Sequence, residues 1–455
     1  MKMTTKRISK SKNNRGGKQK GLQDTVLTGV KGDDANIDHS VVMGANLGTV
    51  NFTSAIVPTD ADLQPINDLT EGMVETETFV WIVKAIENGQ KLFVITGEPG
   101  EGKTTFGFLI LREMNQKGKT FCLVTSPENY KQRKNCDLLM FDDTFGSIAF
   151  EDKKYSDWED TIIDVLALPE HKGSHSGTNI ILIILRKTIL AHLKTKLGRY
   201  ANVFDDREIL IDLTTTHRLT ESEKRKVLEI HLDRNDMHEN EGDIHFVCSS
   251  TFTYGFPQCC RMYADKVKVN IRGIFDRPLE FLDKETKWLL KKNKHNREVL
   301  QIMICDETFQ PDKEADDEKR QTLIAATNDI FYLRQEGGCF HFAHSSYQES
   351  VGITIGIEDP RFLITRCSMP CIKKYMDAST ATGRALFSQL TDELKDQLLS
   401  KIAKEFGRGD YDFMKYDLLH NKENLINVLN SECCAVDTKD VQLKPMQSRP
   451  EIFLL

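Results

Sequence analysis

The sequence predicts an α/β chain centred on a three-layer sandwich with a five-stranded parallel sheet, followed by helical segments. Three observations predict it. Between residues 66 and 215, short apolar runs alternate with helical or polar stretches, as in parallel strands covered on both faces. One run, Leu92–Thr96, opens directly into a glycine-rich turn that ends in Lys103-Thr104 and an apolar stretch, Phe106–Leu111. From Thr216 onward the pattern is mainly helical.

The elements follow in order. Residues 1–20 hold eight Lys or Arg and no acid, so residues 1–65 read as a basic, mostly disordered arm. Within it, Ile37–Phe52 is uncharged after Asp38 and prone to strand formation. A helix is expected over Thr76–Asn88. Strands are expected at Leu92–Thr96, Thr120–Thr125, Cys136–Asp143, Asn179–Leu185 and Glu208–Leu213, with an extra helix around Trp158–Leu168. Thr220-Glu221-Ser222-Glu223 is a capping box that starts a helix running to Arg234. More helices follow to about Leu290, interrupted at Gly255 and Pro257. Gly337-Gly338 between Ile330–Leu333 and Cys339–Phe342 predicts a hairpin, and a hairpin packed on helices suggests a winged-helix-like module. Phe387, Leu390, Leu394, Leu398, Ile402 and Phe406 form a helical stripe that Gly407 ends. The expected division is 1–65 arm, 66–215 sheet domain, 216–292 helical lid, 293–372 winged-helix-like domain and 373–455 C-terminal helices.

Composition narrows the class. A net charge of −7 argues against bulk nucleic-acid binding by the whole chain. No apolar run approaches the ~18 residues of a membrane span. The basic N-terminus lacks the apolar core of a secretory signal. The cysteines are scattered, without C-x-x-C spacing, and read as reduced thiols rather than a disulfide framework or a zinc site.

The chemistry concentrates in Gly97-Glu98-Pro99-Gly100-Glu101-Gly102-Lys103-Thr104, which fits the phosphate-binding loop G-x-x-x-x-G-K-[ST]. Glycines let backbone N–H groups surround phosphate oxygens, and the following helix adds the positive end of its dipole. Lys103 is expected to reach the β- and γ-phosphates, and the Thr104 hydroxyl to hold Mg²⁺. Thr105 completes the loop's nucleotide-binding set. Leu138–Asp143 is an apolar run ending in two carboxylates. Asp142 would hold Mg²⁺ through water, and Asp143 would orient or deprotonate the attacking water. Arg186 directly follows the run Ile180–Leu185, where a cation can sense the γ-phosphate, with Lys187 as its rival.

Taken together, these pieces resemble the STAND class of signalling NTPases, most closely the novel STAND NTPase type three group. The resemblance runs from about Val74 to Phe362. It is carried by Thr96–Thr104, by Phe141-Asp142-Asp143-Thr144-Phe145-Gly146, by Gly255–Arg261 and by Phe342–Glu349. It implies that Pro257 lies against adenine, that His344 contacts the β-phosphate of ADP as in NACHT relatives, and that Arg186 is the first sensor. The chain departs from the pattern at Leu185-Arg186, where relatives often carry T-x-R or S-R. The resemblance further implies an ATP/ADP switch with slow hydrolysis, homo-oligomerisation on activation, unidentified protein partners and a role in innate immune or cell-death signalling. The expected location is cytoplasmic, with the basic arm leaving the nucleus open. Two other readings remain: an AAA+-like ATPase acting on nucleic acid through the arm and winged helix, and a small-molecule phosphotransferase.

Overall fold

The computed structural model describes residues 66–67, 70, 72–133, 136–167, 179–251, 254–265, 270–381, 386 and 390–408, with positions 419, 424, 426 and 428. The basic arm, the Ile37–Phe52 segment and Phe387 lie outside the described residues.

All five expected strands form: β1 Leu92–Gly97, β2 Phe121–Leu123, β3 Leu138–Asp142, β4 Ile180–Arg186 and β5 Leu210–Asp212. They make one parallel sheet in the order β2-β3-β4-β1-β5. Strand side chains alternate between two cores. Val94, Leu139, Phe141, Ile181 and Ile183 enter one, and Phe93, Ile95, Leu138, Met140, Leu182 and Ile184 enter the other. The central strands therefore read as continuous apolar runs because both of their faces are covered. The first core is closed by helices Asp152–Ala167 and Lys187–Lys196, and the second by helices Glu77–Glu87 and Lys103–Gln116. This is the expected three-layer sandwich. Thr76 caps its first helix by accepting from the Phe79 N–H at 3.2 Å.

The helix expected around Trp158 begins earlier, at Asp152, and Trp158 packs edge-on against Phe141 with ring centroids 5.9 Å apart. The capping box forms: Thr220 Oγ1 accepts from the Glu223 N–H, and Glu223 Oε2 accepts from the Thr220 N–H at 2.7 Å. One expectation is corrected here. Pro257 does not interrupt a helix but sits in the first turn of helix Phe256–Asp265, where its missing N–H has no intrahelical partner to lose.

A second, three-stranded sheet is ordered β6 (Thr308–Phe309), β8 (Cys339–Phe342), β7 (Leu333–Glu336). The first hairpin strand thus begins at Leu333 rather than spanning Ile330–Leu333. The two-residue Gly337-Gly338 turn, with φ of 56° and 82°, pairs Glu336 with Cys339 and Leu333 with Phe342 and leaves Ile330 to the buried turn before it. Helices Lys294–Asp306, Asp317–Thr327 and Ser345–Glu358 surround this sheet. The last long helix, Asp392–Gly407, buries Leu394, Leu398, Ile402 and Phe406, while Leu390 precedes its Thr391 cap. No described helix is long and apolar enough to cross a membrane.

Candidate functional site

The site forms where β1, β3 and β4 end together. Strand β4 lies between β1 and β3, with Gly97 opposite Arg186 and Asp142 opposite Ile184. That order sets the Arg186 cation between the glycine-rich loop and the acid pair. Gly100 and Gly102 have φ of 83° and 77°, a conformation L side chains rarely adopt. Gly102 caps helix Lys103–Gln116 without any side-chain hydrogen bond, so the first N–H groups of that helix remain directed at the loop's mouth.

Lys103 is buried and its ammonium donates to the carbonyls of Gly97 at 3.2 Å and Glu98 at 2.8 Å. Burial, then the Arg186 charge, lowers its pKa to about 8. Asp142 Oδ1 is shut off from solvent and has no hydrogen-bond partner. Burial, then the neighbouring Asp143, pushes the Asp142 carboxyl up to about 8 against a bond from the Thr104 hydroxyl. Asp143 sits at φ 48°, off the usual path for a non-glycine residue, and its amide donates to Ile184 O at 3.1 Å. Burial raises its carboxyl as well, opposed by Arg186 and Lys103.

Two later segments close over this loop. The Gly255 N–H donates to Pro99 O at 3.1 Å and the Gln258 N–H to Gly100 O at 3.3 Å. A Cβ on Gly255 would lie 1.9 Å from the Gly100 carbonyl carbon, so backbone meets backbone there. Pro257 lines a mostly apolar cleft of about 40 Å³ between Thr105, Leu109, Leu213, Leu219 and Val227. Glu101 also faces this cleft, and burial pushes its carboxyl up to about 7.

The second segment is the start of helix Ser345–Glu358. His344 caps it, with Nδ1 accepting from the Ser346 N–H at 3.1 Å and lying 2.6 Å from Ser346 Oγ. Burial, then the Arg186 and Lys103 charges, holds the imidazole well below its usual pKa, so it is neutral at pH 7. Tyr254 OH donates to Ser346 Oγ at 2.5 Å and ties the cap to the segment before Gly255. Arg186 is buried and makes an ion pair with Glu349 at 2.5 Å and a hydrogen bond to Ser345 Oγ at 2.9 Å. Between the loop, Asp143, Arg186, His344 and Ser345 there remains a cavity of about 20 Å³, roughly the space of one water.

The structure brings Pro99, Gly100, Gly102, Lys103, Thr104, Asp143, Arg186 and His344 around one cavity, with Asp142 behind it on the Thr104 hydroxyl and with Glu101, Thr105 and Pro257 at a second cleft. Sequence reasoning missed Ser345 and Glu349. Ser345 and Glu349 are four apart on one helical face. Their spacing was a usable signal once His344 was placed at the helix start.

Residues 73–234 match the model of the family Novel STAND NTPase 3. The match starts within one residue of Val74 and stops before Phe362, so it covers the sheet domain and helix Glu221–Arg234. None of the curated proteins matches the chain. Among solved structures, a replication initiator DnaA bound to AMPPCP and single-stranded DNA is 12% identical, covering 80% of this chain and 97% of that one at a TM-score of 0.31. AMPPCP-bound DnaA from Aquifex aeolicus is 13% identical, with 77% and 93% coverage and a TM-score of 0.31. A STAND protein with a tetratricopeptide repeat sensor from Pyrococcus horikoshii is 13% identical, with a TM-score of 0.34; the alignment covers 77% of this chain and 54% of that one. With a glycine-rich G-x-x-x-x-G-K-[ST] loop at the end of β1 and an acid pair at the end of β3, the segment 73–234 is similar to the Novel STAND NTPase 3 family.

Proposed function

We propose that this chain is a nucleotide-dependent switch that binds ADP or ATP with Mg²⁺ and hydrolyses ATP slowly. Amides of residues 97–104 and the Lys103 ammonium hold the phosphates, while the apolar cleft at Thr105 and Pro257 takes the adenine. The residues fit Mg²⁺: Thr104 and Asp142 offer hard oxygen ligands, and Asp142 Oδ1 lacks any protein partner. When bound, the ion neutralises charge on the β- and γ-phosphate oxygens. Asp143 accepts a proton from the attacking water or orients it. His344, neutral and fixed through Nδ1, keeps its second ring nitrogen for a β-phosphate oxygen.

One observation carries the switch reading. Helix Ser345–Glu358 supplies a carboxylate, Glu349, to the arginine that a γ-phosphate would otherwise engage. Glu349 and a phosphate compete for one cation, so nucleotide state and the packing of this helix become linked equilibria. ATP then favours an open packing, and the surface released is where a second copy docks. Signal transduction is the output that the STAND resemblance implies.

Mass spectrometry of nucleotide released from purified protein tests the reading. Bound ADP in the wild type that is lost in Lys103→Ala is the expected result. A protein that carries no adenylate and gives no calorimetric heat with Mg-ATP or Mg-ADP overturns it.

A further inference from the structure

Helix Lys294–Asp306 ends beside the junction between helices Pro360–Arg366 and Met369–Ala381. Cys305 and Cys367 meet there, with their sulfurs 2.6 Å apart. Cys371 lies in the next turn, and its thiol donates to Ile304 O at 3.3 Å. The Lys401 ammonium donates to Cys367 O at 3.0 Å, which brings positive charge to the group. Cys305 is half-exposed, whereas Cys367 is buried. No group of three or more His, Cys, Asp or Glu among the described residues has metal-holding geometry, so the cluster is read as thiol chemistry.

We infer that Cys305 and Cys367 are a reversible redox pair, oxidised to a disulfide by hydroperoxides. Cys305 is the attacking sulfur because it is the one of the pair that solvent reaches, and the hydrogen bond with Cys367, then the Arg366 and Lys401 charges, favour its thiolate. Its thiolate attacks the O–O bond of hydrogen peroxide. An S–O bond forms, the O–O bond breaks, and the departing hydroxide takes the thiol's proton to leave as water. The Cys367 sulfur then attacks the sulfenic sulfur. An S–S bond forms, the S–O bond breaks, and a second water leaves with the remaining proton. Two thiols have then lost two electrons to one peroxide. The other described cysteines lack this combination. Cys122, Cys136, Cys248, Cys259 and Cys260 are buried, and burial raises the thiols of Cys248, Cys259 and Cys260.

The bond would close a chain loop that contains β6, β7, β8 and helix Ser345–Glu358. His344 and Ser345, which line the cavity at the glycine-rich loop, and Glu349, which pairs with Arg186 beside it, all lie inside that chain loop. Oxidation therefore staples the segment that bears on the candidate site, and it does so whether or not that site binds nucleotide.

The test uses the full, reduced chain treated with one equivalent of hydrogen peroxide, alkylated, digested and mapped by mass spectrometry. A linked Cys305–Cys367 peptide should form first, vanish with dithiothreitol and be absent in Cys305→Ser. Cys371→Ser should still form it. The thermal midpoint of the oxidised wild type should rise and return on reduction, with no such shift in Cys305→Ser. Over-oxidation of Cys305 without a linked peptide, a dominant link to another cysteine, or equal rates at the buried thiols would overturn the inference.

Discussion

Replacing Glu349 with alanine removes the partner of a guanidinium that is only 4% exposed. Breaking one side of a buried ion pair costs about 3–5 kcal/mol, because the remaining charge is left uncompensated. Arg186 keeps the Ser345 hydroxyl at 2.9 Å, which places the expected loss near the lower end, at about 3 kcal/mol. If a γ-phosphate must displace this carboxylate, the same free energy opposes ATP binding. Removing it should then tighten Mg-ATP binding by up to about 100-fold, at ~1.4 kcal/mol per decade. Mg-ADP, lacking the γ-phosphate, should gain less. Glu349→Gln keeps an oxygen acceptor but not the charge, so it should lose only about 1–2 kcal/mol and tighten ATP about tenfold. Urea unfolding measures the first effect and titration calorimetry the second. Loss of stability with unchanged ATP affinity in both variants would mean that Glu349 only supports the fold, and the competition argument would fail.

Three further outcomes are expected. Gly255→Ala should separate the lid from the phosphate loop, since its Cβ would overlap the Gly100 carbonyl carbon. A loss of about 1–3 kcal/mol or more and weakened nucleotide binding should follow, while Gly273→Ala, which has open space at its Cβ, leaves binding unchanged. Asp142→Asn should abolish any Mg²⁺ dependence of nucleotide binding. The folded carboxyl titrates near 8, above its unfolded value, so wild-type stability falls as pH rises toward 8. The asparagine variant should therefore melt higher than wild type at pH 8 without metal or nucleotide. His231 is buried and its pKa is pushed down to about 3, by burial first and then by Arg234 and Arg261. Its contribution is complete above about pH 6.5 and is lost as pH falls toward 3, with a slope of up to ~1.4 kcal/mol per pH unit. Melting curves between pH 7.5 and 5 should show this decline, and His231→Leu should flatten it.

The expected architecture was legible wherever the signal was local. The strand Leu92–Gly97 follows from an unbroken apolar run, and the capping box at Thr220 from two residues three apart. The phosphate loop follows from glycines at fixed offsets before Lys103. The hairpin turn was legible at Gly337-Gly338, but its first strand was misplaced because register depends on the partner strand. Pro257 was read as a break because sequence shows a missing N–H but not which turn of a helix it occupies.

By itself, the sequence determined the strands, the helices between them and the glycine-rich loop that leads into Lys103. Periodicity, capping and glycine conformation act over a few residues. Only the tertiary structure decided the strand order that puts Arg186 between the loop and the acid pair. It alone also brought Glu349, 163 positions away in the chain, onto that arginine. Such pairings depend on the packing of whole elements, and no local pattern encodes which distant carboxylate will face a given cation.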